Sequence, residues 1–208
     1  LAREEFEGGV QLLEGRIDIQ SPDTALDILN GYLQGLRSLE RRADAIEVAD
    51  VILGRDPEQI ELVQLRAELL EEEERLDESD VAWAEYLERL GPMADADVVM
   101  PVLVRLARGA KRRDDNDQAI DYLERAVELD DGRPELLRDL RIAVENSGDR
   151  RRAAALYERE ASAIPNDEAK AELLLAAARL LREEDAQDEL YRVLNQVHEL
   201  RGSDAGLL

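Results

Sequence analysis

The sequence predicts an all-α protein built as an α-solenoid, in which antiparallel helix pairs stack on one another. Two observations lead to this fold class. The 208 residues are rich in alanine, leucine, glutamate and arginine but contain only 12 glycines and 6 prolines, and those four abundant residue types lose little on entering a helix. In addition, apolar positions recur about every 34 residues along most of the chain, which is typical of stacked repeats.

The recurrence sets the order of the elements. In the second half it pairs Leu103 with Leu137, Ala110 with Val144, Ala119 with Ala153, and Leu123 with Tyr157. In the first half it pairs Leu29 with Val63, Leu36 with Leu70, Ala45 with Ser79, and Ala49 with Trp83. The step from Ser79 to Ala119 is six residues too long, so we predict an insertion near residues 91–100, where Gly91 and Pro92 would end a helix.

Each unit contains two amphipathic helices, because its apolar residues return every three or four positions. The predicted pairs are 26–39 with 43–54, 59–73 with 78–90, 101–112 with 116–129, 134–146 with 150–163, and 168–182 with 185–200. These five repeats occupy residues 26–201. Residues 1–25 hold a further helix, interpreted as half of a preceding repeat, and residues 202–208 form a C-terminal tail.

Small residues and prolines mark positions within each pair. Small side chains stand where we expect the two helices to cross closely, at Ala45, Ser79, Ala119, Ala153 and Ala186. Pro57 and Pro165 follow second helices, which a proline cannot continue because it lacks an N–H group.

A tight turn is predicted between the helices of each pair. Gly148 is its clearest residue, and the positions equivalent to it are Glu40, Glu74, Asp114 and Arg182. The run Asp-Asp-Asn-Asp at 114–117 has the oxygen side chains of a calcium loop, but such a loop needs Gly and Glu where this chain has Ala119 and Arg125. We therefore interpret Asp114 as a left-handed turn residue, followed by Asp115 or Asn116 as a helix cap.

These features together resemble the tetratricopeptide repeat. The resemblance is clearest in NDQAIDYLERAVELD (116–130) and GDRRRAAALYEREASAIPN (148–166), and it covers about residues 26–200. It implies a right-handed superhelix with first helices lining a concave groove, and a non-catalytic scaffold that binds a protein or peptide there. Arg66 and Arg141 depart from the pattern, because the family usually has a core-facing residue at those positions.

The resemblance also indicates which side chains face the groove. In the first four pairs they include Asn30, Gln34, Arg37, Gln64, Glu68, Glu71, Arg108, Lys111, Arg112, Arg138 and Ile142. An acidic stretch is thus followed by a basic band, which we define as Arg108, Lys111, Arg112 and Arg138. The band predicts a partner of mixed charge or one with an acidic segment. The alternative is that these are solvated charges near helix ends. The family's carboxylate clamp is not indicated, because Asn30 and Gln34 occupy its first positions and its lysine is missing.

Composition excludes several function classes. A formal net charge of −23 argues against binding nucleic acid or anionic lipid, and no stretch reaches the ~18 apolar residues of a membrane span. With no cysteine and a single histidine, His198, the sequence indicates no metal site, no cofactor and no enzyme. EEEERLDESD (71–80) is interpreted as a solvated helix end and turn, and Trp83, Tyr86 and Tyr157 as packing residues.

Two other functions compete with the scaffold. The half-repeat at the start and the absence of an initiator methionine suggest a regulatory or sensor segment of a larger protein. The second alternative is a self-assembling module that associates through an exposed terminal unit.

Overall fold

The computed structural model describes residues 2–204, with side chains from Phe6 to Gly202. Over this range the chain forms eleven helices and no strand. They are α1 (Ala2–Leu13), α2 (Leu26–Ser38), α3 (Arg42–Arg55), α4 (Ile60–Glu72), α5 (Leu76–Leu90), α6 (Ala96–Arg112), α7 (Asn116–Leu129), α8 (Pro134–Ser147), α9 (Arg150–Ala163), α10 (Asp167–Glu183) and α11 (Gln187–Asp204). The all-α solenoid is confirmed, with α2–α3 as the first pair and α10–α11 as the last.

The chain divides into two compact units between Asp95 and Ala96. The first unit contains α1 to α5, and within it α3 packs against both α2 and α4. The second contains α6 to α11, where each helix packs against the next along the chain. The boundary lies within the segment that the sequence analysis predicted to be an insertion.

Small residues do allow close packing inside the pairs. Ala45, Ala119 and Ala153 are fully buried, and Ser79 is nearly so. The Ser79 hydroxyl donates to the carbonyl oxygen of Ala67 at 3.0 Å, which compensates for burying a polar group. Ala186, the fifth predicted position, is half-buried and immediately precedes α11.

The turns between paired helices have the predicted left-handed geometry. Positive φ angles occur at Glu40 (60°), Glu74 (58°), Asp114 (57°), Gly148 (86°) and Asp185 (55°). The carboxylate of Asp115 then caps α7 by accepting from the Gln118 amide at 3.1 Å, and Asp149 caps α9 by accepting from the Arg152 amide at 3.0 Å. The interpretation of residues 114–117 as a turn followed by a cap is confirmed.

The fifth turn differs from the prediction. Arg182 was expected to occupy it, but α10 continues through Arg182 to Glu183, and the left-handed residue is Asp185. The reason is helix length: α10 has 17 residues and α8 has 14, so the turn falls three residues beyond the 34-residue interval.

Two predicted boundaries are also wrong. The first helix of the third pair was expected to start at Pro101, but α6 starts at Ala96 and includes Pro101. Continuing the helix through this exposed proline allows Met100 and Val102 on either side of it to be buried, which offsets the lost hydrogen bond. At the other end, α11 extends to Asp204 and therefore includes part of the predicted tail; residues 205–208 lie outside the described range.

One arginine holds the connection between α1 and α2. The guanidinium of Arg55, at the end of α3, donates to three main-chain carbonyl oxygens of that connection. The acceptors are Thr24 at 2.6 Å, Ser21 at 2.8 Å and Ile19 at 2.9 Å. A segment with little regular structure is thereby attached to the first helix pair.

Candidate functional site

In the first unit, α2 and α4 border two adjoining depressions. The first, of about 350 Å³, has leucine side chains among its lining residues together with Asn30, Gln34, Gln64 and Glu68; the leucines are Leu33, Leu62 and Leu65. The second, of about 400 Å³, shares Gln34, Arg37, Leu65 and Glu68 with the first and adds Ser38, Glu40, Arg42 and Glu72. Because the two depressions share residues, we treat them as one surface and call it the α2–α4 groove.

The groove brings together most of the side chains that the sequence analysis placed on the first two pairs. Asn30, Gln34, Arg37, Gln64 and Glu68 all line the first depression. Glu71 does not line either depression and is exposed on the last turn of α4.

A chain of hydrogen bonds fixes two of these side chains. The hydroxyl of Tyr86, on α5, donates to Oε1 of Gln64 at 2.9 Å. Nε2 of Gln64 in turn donates to Oε1 of Glu68 at 2.8 Å. Tyr86 is buried and packs edge-on against Trp83, with ring centroids 5.8 Å apart. Burial, and next the negative charges of Glu68 and Glu61, raise the pKa of Tyr86.

Sequence reasoning missed this role of Tyr86. It identified Tyr86 as a packing residue, and the side chain is indeed buried. The hydrogen bond links residues 22 positions apart on different helices, and no spacing rule within one helix relates them. The detectable signal was the hydroxyl itself, since a buried tyrosine usually finds a hydrogen-bond partner.

The charges of the groove are only partly paired. Arg42 donates through Nε to Oε2 of Glu72 at 2.6 Å. Among the described residues, Arg37, Glu61 and Glu68 form no ion pair. The groove therefore offers hydrogen-bonding amides and uncompensated charges of both signs, with carboxylates in excess.

The second unit contains the basic band, and two of its cations contact acidic residues of the same unit. Nζ of Lys111 donates to the carbonyl oxygen of Asp139 at 3.3 Å and lies 3.7 Å from its carboxylate. Nε of Arg138 lies 3.2 Å from a carboxylate oxygen of Glu160. Arg108 and Arg112 are exposed. Ile142, also predicted to face the groove, is 38% exposed.

Arg141 departs from the family pattern for a structural reason. It is buried, and its Nε donates to Glu160 at 2.8 Å while its guanidinium lies 4.1 Å from the centre of the Tyr157 ring. Glu160 is only 2% exposed, so two arginines, Arg138 and Arg141, compensate its buried charge. Arg66, the other departure, pairs with Asp50 of the neighbouring helix.

Within residues 2–204, no cluster of three histidine or acidic side chains is placed to hold a metal ion, and no helix is long and apolar enough to cross a membrane. His198 lies exposed on α11.

Comparison with known proteins identifies the fold. No family model and no curated protein matches the sequence. Among solved structures, the chain is similar to YrrB, a tetratricopeptide-repeat protein with an unusual peptide-binding site (TM-score 0.53, 16% identity, covering 96% of this chain and 94% of that one). It is also similar to MamA (TM-score 0.50, 15% identity, 87% and 94%) and to a substituted MamA (TM-score 0.56, 15% identity, 79% and 87%). Identities this low show the fold alone, which is a tetratricopeptide-like helical repeat.

Proposed function

We propose that the protein is a non-catalytic scaffold that binds an extended segment of another protein in the α2–α4 groove. The observation that supports this is the combination of carboxamides and leucines in one depression. An extended segment has unpaired N–H and C=O groups, and a carboxamide both donates and accepts hydrogen bonds. Leu33, Leu62 and Leu65 offer apolar contact to its side chains.

The chemistry of the groove favours binding over catalysis. The Ser38 hydroxyl donates to the main-chain carbonyl of Gln34 at 2.9 Å, a bond within α2 that does not activate it as a nucleophile. The other polar side chains that line the groove are amides, carboxylates and guanidiniums. The likeness of the fold to YrrB, which has a peptide-binding site, agrees with this function.

Peptide selection tests the proposal. Peptides would be selected from a random phage library on the wild-type protein, and their affinities measured for the Asn30→Ala/Gln34→Ala variant. We expect a loss of about thirty-fold, since two hydrogen bonds that each contribute ~1 kcal/mol together contribute ~2 kcal/mol. Glu47→Ala, which alters an exposed residue of α3 outside the groove, is the control. Selected peptides that bind Asn30→Ala/Gln34→Ala as tightly as they bind the wild-type protein would contradict the proposal.

We propose the basic band as a second candidate site, for an acidic segment. Arg108 is exposed and forms no ion pair within the described residues, and Arg138 keeps more than half of its side chain exposed while it contacts Glu160. Reversing Arg108 and Arg112 to glutamate leaves the Lys111–Asp139 contact in place. The expected result is weaker binding of a glutamate-rich peptide and a smaller dependence of its affinity on salt. An unchanged affinity would exclude the band as the site.

A further inference from the structure

The Tyr86–Gln64–Glu68 chain has a defined direction. If the Gln64 amide were reversed, its carbonyl oxygen would face the carboxylate of Glu68, and two acceptors would repel each other. The oxygen therefore faces the Tyr86 hydroxyl at 2.9 Å, and the nitrogen faces Glu68 at 2.8 Å. This arrangement fixes one carboxylate oxygen of Glu68 against Gln64 and leaves the other for a ligand.

The charge around this carboxylate is negative. Glu40, Glu61 and Glu68 line the two depressions without an ion pair in the described chain, against one such cation, Arg37. The remaining arginine, Arg42, is neutralised by Glu72. The raised pKa of Tyr86, due first to burial and then to Glu68 and Glu61, is the expected effect of such surroundings. Residues 1–95 also carry most of the net negative charge of the chain.

We propose that the α2–α4 groove selects an extended segment that carries a lysine or arginine side chain, with Glu68 as the acceptor for that cation. Tyr86 and Gln64 are positioning residues, because they orient Glu68 without needing to contact the cation. The leucines and Asn30 and Gln34 contact the rest of the segment. This inference rests on the proposed function and specifies the chemistry of the partner.

Three synthetic peptides of equal length test the selection: blocked sequences in which alanine alternates with lysine, glutamate or glutamine. Fluorescence anisotropy at low ionic strength measures their affinity for the protein. We expect the lysine peptide to bind best and Glu68→Gln to weaken its binding about five-fold, the upper range for an exposed ion pair. The same substitution leaves the glutamine peptide within about two-fold, since it hardly changes uncharged hydrogen bonding.

Two further variants separate a site from general attraction to an acidic protein. Glu47→Gln removes the same charge from α3 outside the groove and leaves the affinity for the lysine peptide unchanged. Tyr86→Phe keeps the ring and removes the hydroxyl. It should weaken the binding of the lysine peptide about two- to three-fold, because Glu68 is then less well oriented. Circular dichroism confirms that each variant is folded. If Glu68→Gln does not fold, Tyr86→Phe supplies the test of Glu68, and a lysine-peptide affinity equal to that of wild type would then overturn the inference.

The outcomes distinguish this inference from the function on which it rests. If Glu68→Gln and Glu47→Gln weaken the binding of the lysine peptide equally, the attraction is non-specific and the inference is wrong. If the glutamine or glutamate peptide binds at least as well as the lysine peptide, and Asn30→Ala/Gln34→Ala weakens that binding, the scaffold function stands and cation selection is overturned. If the groove variants change the affinity for none of the peptides, both the scaffold function and the cation selection are overturned.

Discussion

Four acidic residues occupy backbone positions that usually favour glycine. Glu40, Glu74, Asp114 and Asp185 have φ between 55° and 60°, whereas the equivalent turn between α8 and α9 uses Gly148. A side chain in this left-handed region costs roughly 1–2 kcal/mol because Cβ approaches the following carbonyl oxygen. The helix pairs therefore form in spite of their turn residues, and packing between the helices must supply the difference.

Because of this cost, Glu74→Gly should raise the free energy of unfolding by ~0.5–1 kcal/mol: glycine removes the left-handed strain, although it is more flexible in the unfolded chain. Urea denaturation followed by circular dichroism measures the change. The control is Glu73→Gly, one residue earlier, where φ is −85° and glycine relieves nothing. If both variants are destabilised to the same extent, the turn carries no such strain.

At the scale of the helices, the sequence predicted the pairs well because burial of one face leaves a periodic pattern. The small residues Ala45, Ala119 and Ala153 and the left-handed Asp114 were located from spacing alone. The start of α6 and the fifth turn were misplaced, because the burial of Met100 and Val102 outweighs the proline signal at Pro101 and because extra helix length shifts the turn.

The candidate site was predicted only in part, for a related reason. Positions on first helices follow from the repeat, so the sequence predicts Asn30, Gln34 and Gln64 as groove residues, and all three line the first depression. The contact of Gln64 with Tyr86 depends on how α4 and α5 cross and on the side-chain conformations at that crossing. Neither is encoded in the periodicity of one helix.

The connection before α2 provides a prediction at the element scale. Arg55→Met keeps an unbranched side chain and removes the hydrogen bonds to Ile19, Ser21 and Thr24. We expect the free energy of unfolding of the first unit to fall by ~1–3 kcal/mol. The amides of Ser21 and Thr24, which bond within this connection, should exchange faster with deuterium. Arg37→Met, in the groove, is the control. Exchange rates that match wild type would show that the connection holds without Arg55.

At the scale of the whole molecule, buried and half-buried tyrosines act together with acidic charge at alkaline pH. Burial is the largest cause that raises the pKa of Tyr32, Tyr86 and Tyr157 above that of an exposed tyrosine. Above a pH of about 10 the folded protein therefore retains protons that the unfolded chain releases. Stability must fall as pH rises through this range, and it is not affected by these groups well below it.

The free energy of unfolding, measured by urea denaturation, should receive a nearly constant contribution from these tyrosines up to about pH 9 and should decrease above about pH 10. Tyr86→Phe should make the decrease shallower, since it removes one of the titrating groups. Tyr191→Phe, at a position 66% exposed, should leave the slope as in wild type. A slope that responds equally to both substitutions would contradict the assignment to buried tyrosines.

The turns at 114–115 and 148–149 would allow a further helix pair to be added to the stack. Asp115 has φ −87° and ψ 78°, and Asp149 has φ −79° and ψ 80°, so the backbone enters α7 and α9 in nearly the same way. A second copy of residues 116–149 placed directly after Asp149 would begin and end at matching geometry. An in-frame tandem duplication of the corresponding stretch of coding sequence would thus add one helix pair without creating a new kind of junction.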